Sequence, residues 1–261
     1  MEHVARIPDT GVTVEIDGAV AVLSICRPAK RNAINDSVLA AFRDFFSAPP
    51  KQVRCVIIRG EGAHFSAGLD LSEQVEREAE EVLKHSRSWH AVMDMIQLGG
   101  LPVIAVMKGA VMGGGLELAS ACHIRIAEHS AIYQLPEGKR GIFVGGGATV
   151  RIGRILGADR MTEMMLTGRR YSGEEGQSLG LSHYLVQEGT GLDKARELAR
   201  QVADNSSLVN YLIIQSLSNI SDMPRQGGFF AESLSAALSQ TGPDAREGLQ
   251  AFLQKRKPQF R

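Results

Sequence analysis

Two acids and two glycine-bearing turns carry the chemistry this chain offers. Glu117 stands in Gly-Leu-Glu-Leu-Ala-Ser-Ala-Cys, a run of small and apolar residues that reads as buried. A carboxylate in such surroundings must be paired, protonated or catalytic, because burying an uncompensated charge is costly. Glu137 follows Pro136 and opens Glu-Gly-Lys-Arg-Gly; it reads either as a second acid of a site or as a loop carboxylate partnered by Lys139 or Arg140. The first turn is His64-Phe-Ser-Ala-Gly-Leu-Asp70, and the second runs from Lys108 through Gly113-Gly-Gly115 to Glu117. A strand passing through glycines into a helix exposes backbone N–H groups at the helix start, where the dipole favours negative charge. Two such turns converging would form a two-donor oxyanion hole. Taken alone, the glycines are also explained by tight turns and close packing, and spacing by itself does not bring the two acids together.

Other chemistry fails on inspection. Gly113-Gly-Gly115 and Gly145-Gly-Gly147 both break the dinucleotide-binding pattern at its third glycine, and neither carries the Lys-Ser/Thr of a phosphate-binding loop. The surroundings of Ser66 fail as a nucleophile elbow because His64 occupies the first glycine position. No HExxH occurs, and the 7 histidines are scattered; only His64 and His123 lie beside glycine-rich segments. The 3 cysteines, Cys26, Cys55 and Cys122, form no CxxC pair, so neither a disulfide framework nor a thiolate metal site is indicated.

The elements that must position these residues can be read from periodicity. Val12–Ile16 and Ala19–Ile25 read as a hairpin turning at Asp17-Gly18. Further strands are expected at Val53–Arg59, Pro102–Met107, His123–Ala127 and Ala131–Gln134. Helices are expected at Val38–Phe46 with Ser37 as cap, and at Ser88–Leu98, where Trp89, Val92, Met93 and Ile96 share a face. After Gly147 the pattern becomes helical: Thr149–Leu156, Arg160–Thr167, Gly173–Leu179 capped by Ser172, an amphipathic stripe over Leu192–Val202, then segments near 207–219, 228–240 and 243–255. The expectation is an α/β core over residues 1–190 and a C-terminal helical part over 191–261 of the same domain.

Composition narrows the classes. The chain has 261 residues, with 29 basic and 29 acidic side chains and 44% hydrophobic residues, an ordinary globular balance. Zero net charge removes the electrostatic case for nucleic acid and for a polybasic membrane surface. The most apolar stretch, Leu101–Ala121, is interrupted by Lys108 and Glu117, so it reads as a buried strand and helix rather than a membrane span. The N-terminal residues Met1–Asp9 lack a basic segment followed by an apolar one, which points to a cytoplasmic protein.

Taken in order, these segments resemble the crotonase, or enoyl-CoA hydratase/isomerase, superfamily. The likeness runs from Arg27-Pro-Ala-Lys-Arg-Asn-Ala-Ile-Asn35 through Phe65–Asp70, Pro102–Ala110, Gly113–Ala119 and Leu135-Pro-Glu137 to Leu166–Gly176, and ends in Arg246–Lys257. Each piece is weak alone, whereas the pieces together in this order are specific. The resemblance implies a spiral of ββα repeats with C-terminal helices that build a homo-trimer or a dimer of trimers. It implies an acyl-CoA thioester substrate, bound against Ala29, Lys30, Arg31 and Ala33 and against Ala67, Gly68, Leu69 and Asp70, with Gly113 and Gly114 facing the thioester. The oxyanion donors it implies are the N–H groups of Ala67 and Gly114, and the acids that hold and activate water are Glu117 and Glu137. No metal or redox cofactor is implied, CoA being part of the substrate.

The likeness has departures. Val144 and Ala148 stand where many hydratases have proline and glycine, and the run from Glu137 to Gly147 resembles the methylthioacryloyl-CoA hydratase branch. Hydration of a 2-enoyl thioester is the leading reading; the alternatives are thioester hydrolysis at the same site and a non-catalytic acyl-CoA-binding protein. The Glu-rich segment 71–87 lacks strong periodicity and is expected to form a mobile wall over the acyl pocket.

Overall fold

In the computed structural model, residues 3–7, 10–73 and 75–260 are described, the side chains of 3–7 excepted. Met1, Glu2, Pro8 and Asp9, part of the segment read for a leader, lie outside the described residues, as does Gln74 of the expected wall. A 7-stranded sheet forms the centre, in the order β1 (His3–Ile7), β2 (Val12–Asp17), β3 (Val20–Ile25), β4 (Cys55–Gly60), β5 (Val103–Met107), β7 (Ile124–Glu128), β10 (Tyr184–Val186). The hairpin of β2 and β3 turns where Asp17-Gly18 predicts, and from β3 onward the pairing is parallel. A smaller sheet pairs β8 (Ile132–Gln134) with β6 (Ala110–Met112) on one side and β9 (Tyr171–Ser172) on the other.

The central strands are covered on both faces, which explains their nearly continuous apolar runs. Alternate residues Leu23, Ile25, Val56, Ile58, Val103, Ala105 and Met107 face one cluster with Phe42, Met93 and Ile96. Their neighbours Val22, Cys55, Ile57, Ile104, Val106 and Ile126 face the other, against Ala195, Leu198 and Ala199 of α7 (Gly191–Ala203). This period of two is what pleated strands impose. The first helix of the C-terminal part therefore covers the sheet, while α8 (Ser207–Ile220), α9 (Arg225–Gln240) and α10 (Pro243–Leu253) follow it.

The repeat that positions the site is a strand in the large sheet, a strand or bridge in the small one, and a helix. After β4, Ser66 bridges Val111 and the chain continues to α2 (Ala79–Leu98). After β5 comes β6 and then α3 (Gly114–Ala121); after β7 comes β8, a short 3-10 turn Glu137–Arg140, and α4 (Ala148–Leu156). The ββα succession implied by the resemblance is thus present, and α5 (Ala158–Thr167) and α6 (Gly173–Ser178) complete the helical layer.

Three local expectations are corrected. The cap of α1 (Asp36–Ser47) is Asn35, whose side chain accepts the N–H of Val38, and Ser37 lies inside the helix. Helix α2 starts at Ala79, well before the expected start at Ser88, because Glu78 and Glu81 form a reciprocal capping box. Much of the segment expected as an aperiodic wall is therefore the first turns of a helix, with Glu80, Glu81, Val82 and Leu83 exposed. The strands β1, β6, β9 and β10 were too short or too polar to read from alternation.

Candidate active site

The first turn is stitched to the second by the small sheet. Ser66 N–H donates to the Ala110 carbonyl at 2.9 Å, and Met112 N–H donates to the Ser66 carbonyl at 3.0 Å. Between them Gly68 has φ +91°, and a Cβ there would lie 2.6 Å from the Met112 carbonyl oxygen and 2.9 Å from the Gly114 nitrogen. Only glycine permits both that conformation and that approach. The Leu69 nitrogen lies 3.3 Å from where a Gly114 Cβ would stand. The two glycine-bearing turns do converge.

The donors they present differ in one place from expectation. Ala67 N–H is already given to the Arg31 carbonyl at 2.9 Å, so it cannot serve an oxyanion. Gly68 N–H is taken by the Ser66 hydroxyl at 3.1 Å, while the next, Leu69, has no hydrogen-bond acceptor among the described residues. Gly114, the first residue of α3, likewise has none, as the first N–H groups of a helix must. Leu69 and Gly114 are therefore the pair that can bind a developing negative oxygen, and Ala67 instead anchors the turn to the 27–33 loop.

Glu117 lies one turn into α3 and is 4% exposed. Its Oε1 accepts two backbone N–H groups across the cleft, from Gly146 at 2.8 Å and Ala148 at 3.0 Å. Burial pushes its carboxyl above the ordinary range, while these two bonds and the charge of Arg151 pull the other way. Behind that turn, Arg151 is fixed by Gln97 at 2.6 Å and Asp94 at 2.6 Å. Ala148, one of the departures noted above, gives its N–H to the acid, a role any residue except proline can fill.

Glu137 sits at the start of the 3-10 turn and is buried. Gly113 has φ +49°, and a Cβ on it would fall 2.5 Å from Glu137 Oε1, which places this acid against the residue preceding Gly114. Its Oε2 is buried with no hydrogen-bond partner among the described residues. Burial, with a further push from the charge of Glu117, raises its pKa to about 7. Trp89 completes the enclosure: Cβ atoms on Gly114 and Gly146 would lie 2.9 and 3.1 Å from its indole carbons. Beside it opens a cavity of about 330 Å³, reached by Leu69, Trp89, Glu117, Phe143 and Gly146.

The 27–33 loop has a 3-10 turn over Pro28–Lys30 and left-handed backbone at Arg31 and Asn32. Asn32, fully buried, holds it by donating to the Glu61 carbonyl at 2.8 Å and the His64 carbonyl at 2.7 Å. Ala29, Lys30 and Arg31 are exposed, whereas Ala33 is buried. Asp70 does not face outward: it is 4% exposed, bonds the Ser72 hydroxyl at 2.6 Å and pairs with Arg27 at 2.8 Å, and its pKa falls to about 2. It braces the 27–33 loop against the Ala67–Asp70 turn. His64 and His123 are structural acceptors, taking the N–H of Ala110 and of Val103 at 3.0 Å each. Asn32, Arg27 and Arg151 were not singled out by the sequence; their roles depend on distant partners, and no local spacing signals them.

The turns thus gather two N–H groups without an acceptor among the described residues and two buried acids, an arrangement that can stabilise a negative oxygen beside carboxylates able to move protons. The chain belongs to the enoyl-CoA hydratase/isomerase family, whose model matches residues 15–261. A Bacillus subtilis (strain 168) protein named "Probable enoyl-CoA hydratase" is 35% identical, over 96% of this chain and 98% of its own. A solved structure from Rhodopseudomonas palustris CGA009 superposes with a TM-score of 0.93 at 51% identity, over 96% of this chain and 98% of that one. The structure of an enoyl-CoA hydratase from Bacillus anthracis gives a TM-score of 0.91 at 31% identity, with 96% and 98% covered. The fold is therefore of the crotonase type.

Proposed function

We propose that this protein adds water across the double bond of a 2-enoyl-CoA thioester. The observation that carries the reading is the pairing of two buried acids with two N–H groups, on two converging turns, that have no acceptor among the described residues. The thioester oxygen would lie between the N–H groups of Leu69 and Gly114. As water oxygen bonds to Cβ, the π electrons move toward the carbonyl and the oxygen becomes an enolate, which those donors stabilise. Glu117, already held by two N–H groups, takes the proton that water loses. Glu137, with a carboxyl pKa near 7, supplies the proton that Cα gains. Water and substrate are thereby consumed in one-to-one ratio, and the two acids are reset by exchanging a proton through solvent or product. The exposed side chains of Lys30 and Arg31 suit the phosphates of CoA.

A panel of 2-enoyl-CoAs tests this by loss of the conjugated-thioester absorbance. No loss with any member would favour the non-catalytic binder, and release of free thiol would move the reading to thioester hydrolysis, the chemistry expected on a β-methylthio substrate. The assembly proposed with this function is a trimer or dimer of trimers. Its support is the exposed apolar surface on α8–α10, including Leu217, Phe230, Leu234, Leu238 and Phe252. Light scattering should give a multiple of three chains; a stable monomer at micromolar concentration would contradict it.

A further inference from the structure

We infer that the acyl pocket is built for a substrate whose far end carries a carboxylate, so that Arg77 is the residue that selects it; this deepens the hydratase reading and rests on it. The cavity beside Glu117 is walled largely by apolar side chains, Leu69, Leu71, Val82, Trp89 and Phe143 among them. Two basic side chains interrupt that wall, Arg77 and His85. The Arg77 side chain is 20% exposed, and its one contact with an acid is to Asp36 at 3.6 Å, beyond hydrogen-bond reach. Asp36 does not depend on that contact. Its other oxygen bonds His85 Nε2 at 2.8 Å, its side chain is 67% exposed, and it is the first residue of α1, where the helix dipole favours an acid.

Arg77 is thus a half-buried guanidinium on the cavity wall that pairs only loosely with Asp36 and spends none of its planar set of donors on a hydrogen bond among the described residues. A carboxylate is the group whose two oxygens match the guanidinium fork, and it would bind more closely than Asp36 does. An acyl chain that places its thioester at Leu69 and Gly114 and its reacting carbons at Glu117 fills the same cavity. Its distal end then meets the wall carrying Arg77. A methyl-ended chain would offer those donors no acceptor. The substrate class is a short 2-enoyl-CoA with a carboxylate at the far carbon.

The test compares six-carbon 2-enoyl-CoAs that differ only at the far carbon, methyl or carboxylate. The wild-type kcat/KM should favour the carboxylate about tenfold or more. In Arg77→Gln the ratio of the two values should fall about 10- to 100-fold, the scale of a lost charge-assisted pair, and Arg77→Lys should keep part of the preference. Thermal unfolding of both variants checks that they fold. A wild type that favours the methyl-ended substrate, or a ratio unmoved in Arg77→Gln, overturns the assignment. Calorimetric binding of the saturated adipyl and hexanoyl thioesters of CoA reads the same preference without turnover. Hydration of neither substrate, with tighter binding of the adipyl thioester that Arg77→Gln abolishes, would sink the hydratase reading and leave the selectivity standing; equal binding would sink the selectivity.

Discussion

Glu117 and Glu137 flank the same turn, yet the protein answers their charges differently. One oxygen of Glu117 receives two backbone N–H groups, and Arg151 stands behind the segment that supplies them. Glu137 has a buried oxygen with no partner among the described residues and feels the neighbouring acid as well as its own burial. A carboxylate that collects N–H donors is stabilised in its charged form, whereas one left bare favours the proton. Burial raises both carboxyls, and only at Glu117 do N–H donors and Arg151 pull the other way, which is why the proposed mechanism gives Glu117 the base's part and Glu137 the acid's.

The largest expected effect comes from removing that proton chemistry while keeping side-chain volume. Glu117→Gln and Glu137→Gln should each lower kcat by ~10²–10⁴. If both act on one water, the double variant should lose less than the product of the single losses. Steady-state hydration rates of the three variants decide it, and multiplicative losses would mean that the acids work independently. Glu137→Gln should also stop exchange of the substrate α-proton with solvent, which mass spectrometry in deuterated buffer follows.

A smaller loss is expected at the oxyanion turn. A Cβ on Gly114 would meet the Trp89 ring at 2.9 Å and crowd the Leu69 nitrogen at 3.3 Å, so Gly114→Val should displace both donors. The expected loss is ~10²–10³ in kcat, the size of one lost oxyanion donor, with both acids still in place. Near-normal turnover would show that the glycines serve packing alone.

The difference between these predictions and what the sequence allowed is instructive. Glu117 is legible because an acid inside a small-residue, apolar helix is locally anomalous. Glu137 is not, since its burial comes from Gly113 and the cleft wall rather than from its neighbours in the chain. The turns themselves were readable from their glycines, but the donor assignment was not. Ala67 gives its N–H to the carbonyl of Arg31, a residue far away in sequence, which is why the proposed donor is Leu69 instead. Nor does the sequence show that the Asp70 side chain is buried against Arg27. The strands and the amphipathic helices came through because burial on one or two faces writes itself into periodicity. The first turns of α2 did not, since they bury almost nothing and are fixed by a Glu78–Glu81 cap.

The comparison also predicts a modest stability effect. The folded pKa of Glu137, about 7, lies above the usual 4.5. The native state therefore holds the extra proton between those values, and its stability falls as pH rises through that window. Glu137→Gln has no charge to bury. It should match the wild type below pH ~4.5 and exceed it by up to about 2–3 kcal/mol above pH ~7. Urea unfolding of both proteins at pH 5 and pH 8 measures the difference; a variant less stable than wild type at pH 8 would contradict the bare-oxygen description.

The central claim, that the two acids differ in protonation because the fold treats them differently, is tested most directly by the pH dependence of hydration. With Glu137 as the proton donor and its pKa near 7, wild-type kcat/KM on the best 2-enoyl-CoA of the panel should decline as pH rises above ~7, one decade per pH unit at the limit. In Glu137→Gln the slower residual rate should lack that decline. A wild-type rate that stays level to pH 9, or a decline that survives unchanged in Glu137→Gln, would show that Glu137 is not the acid.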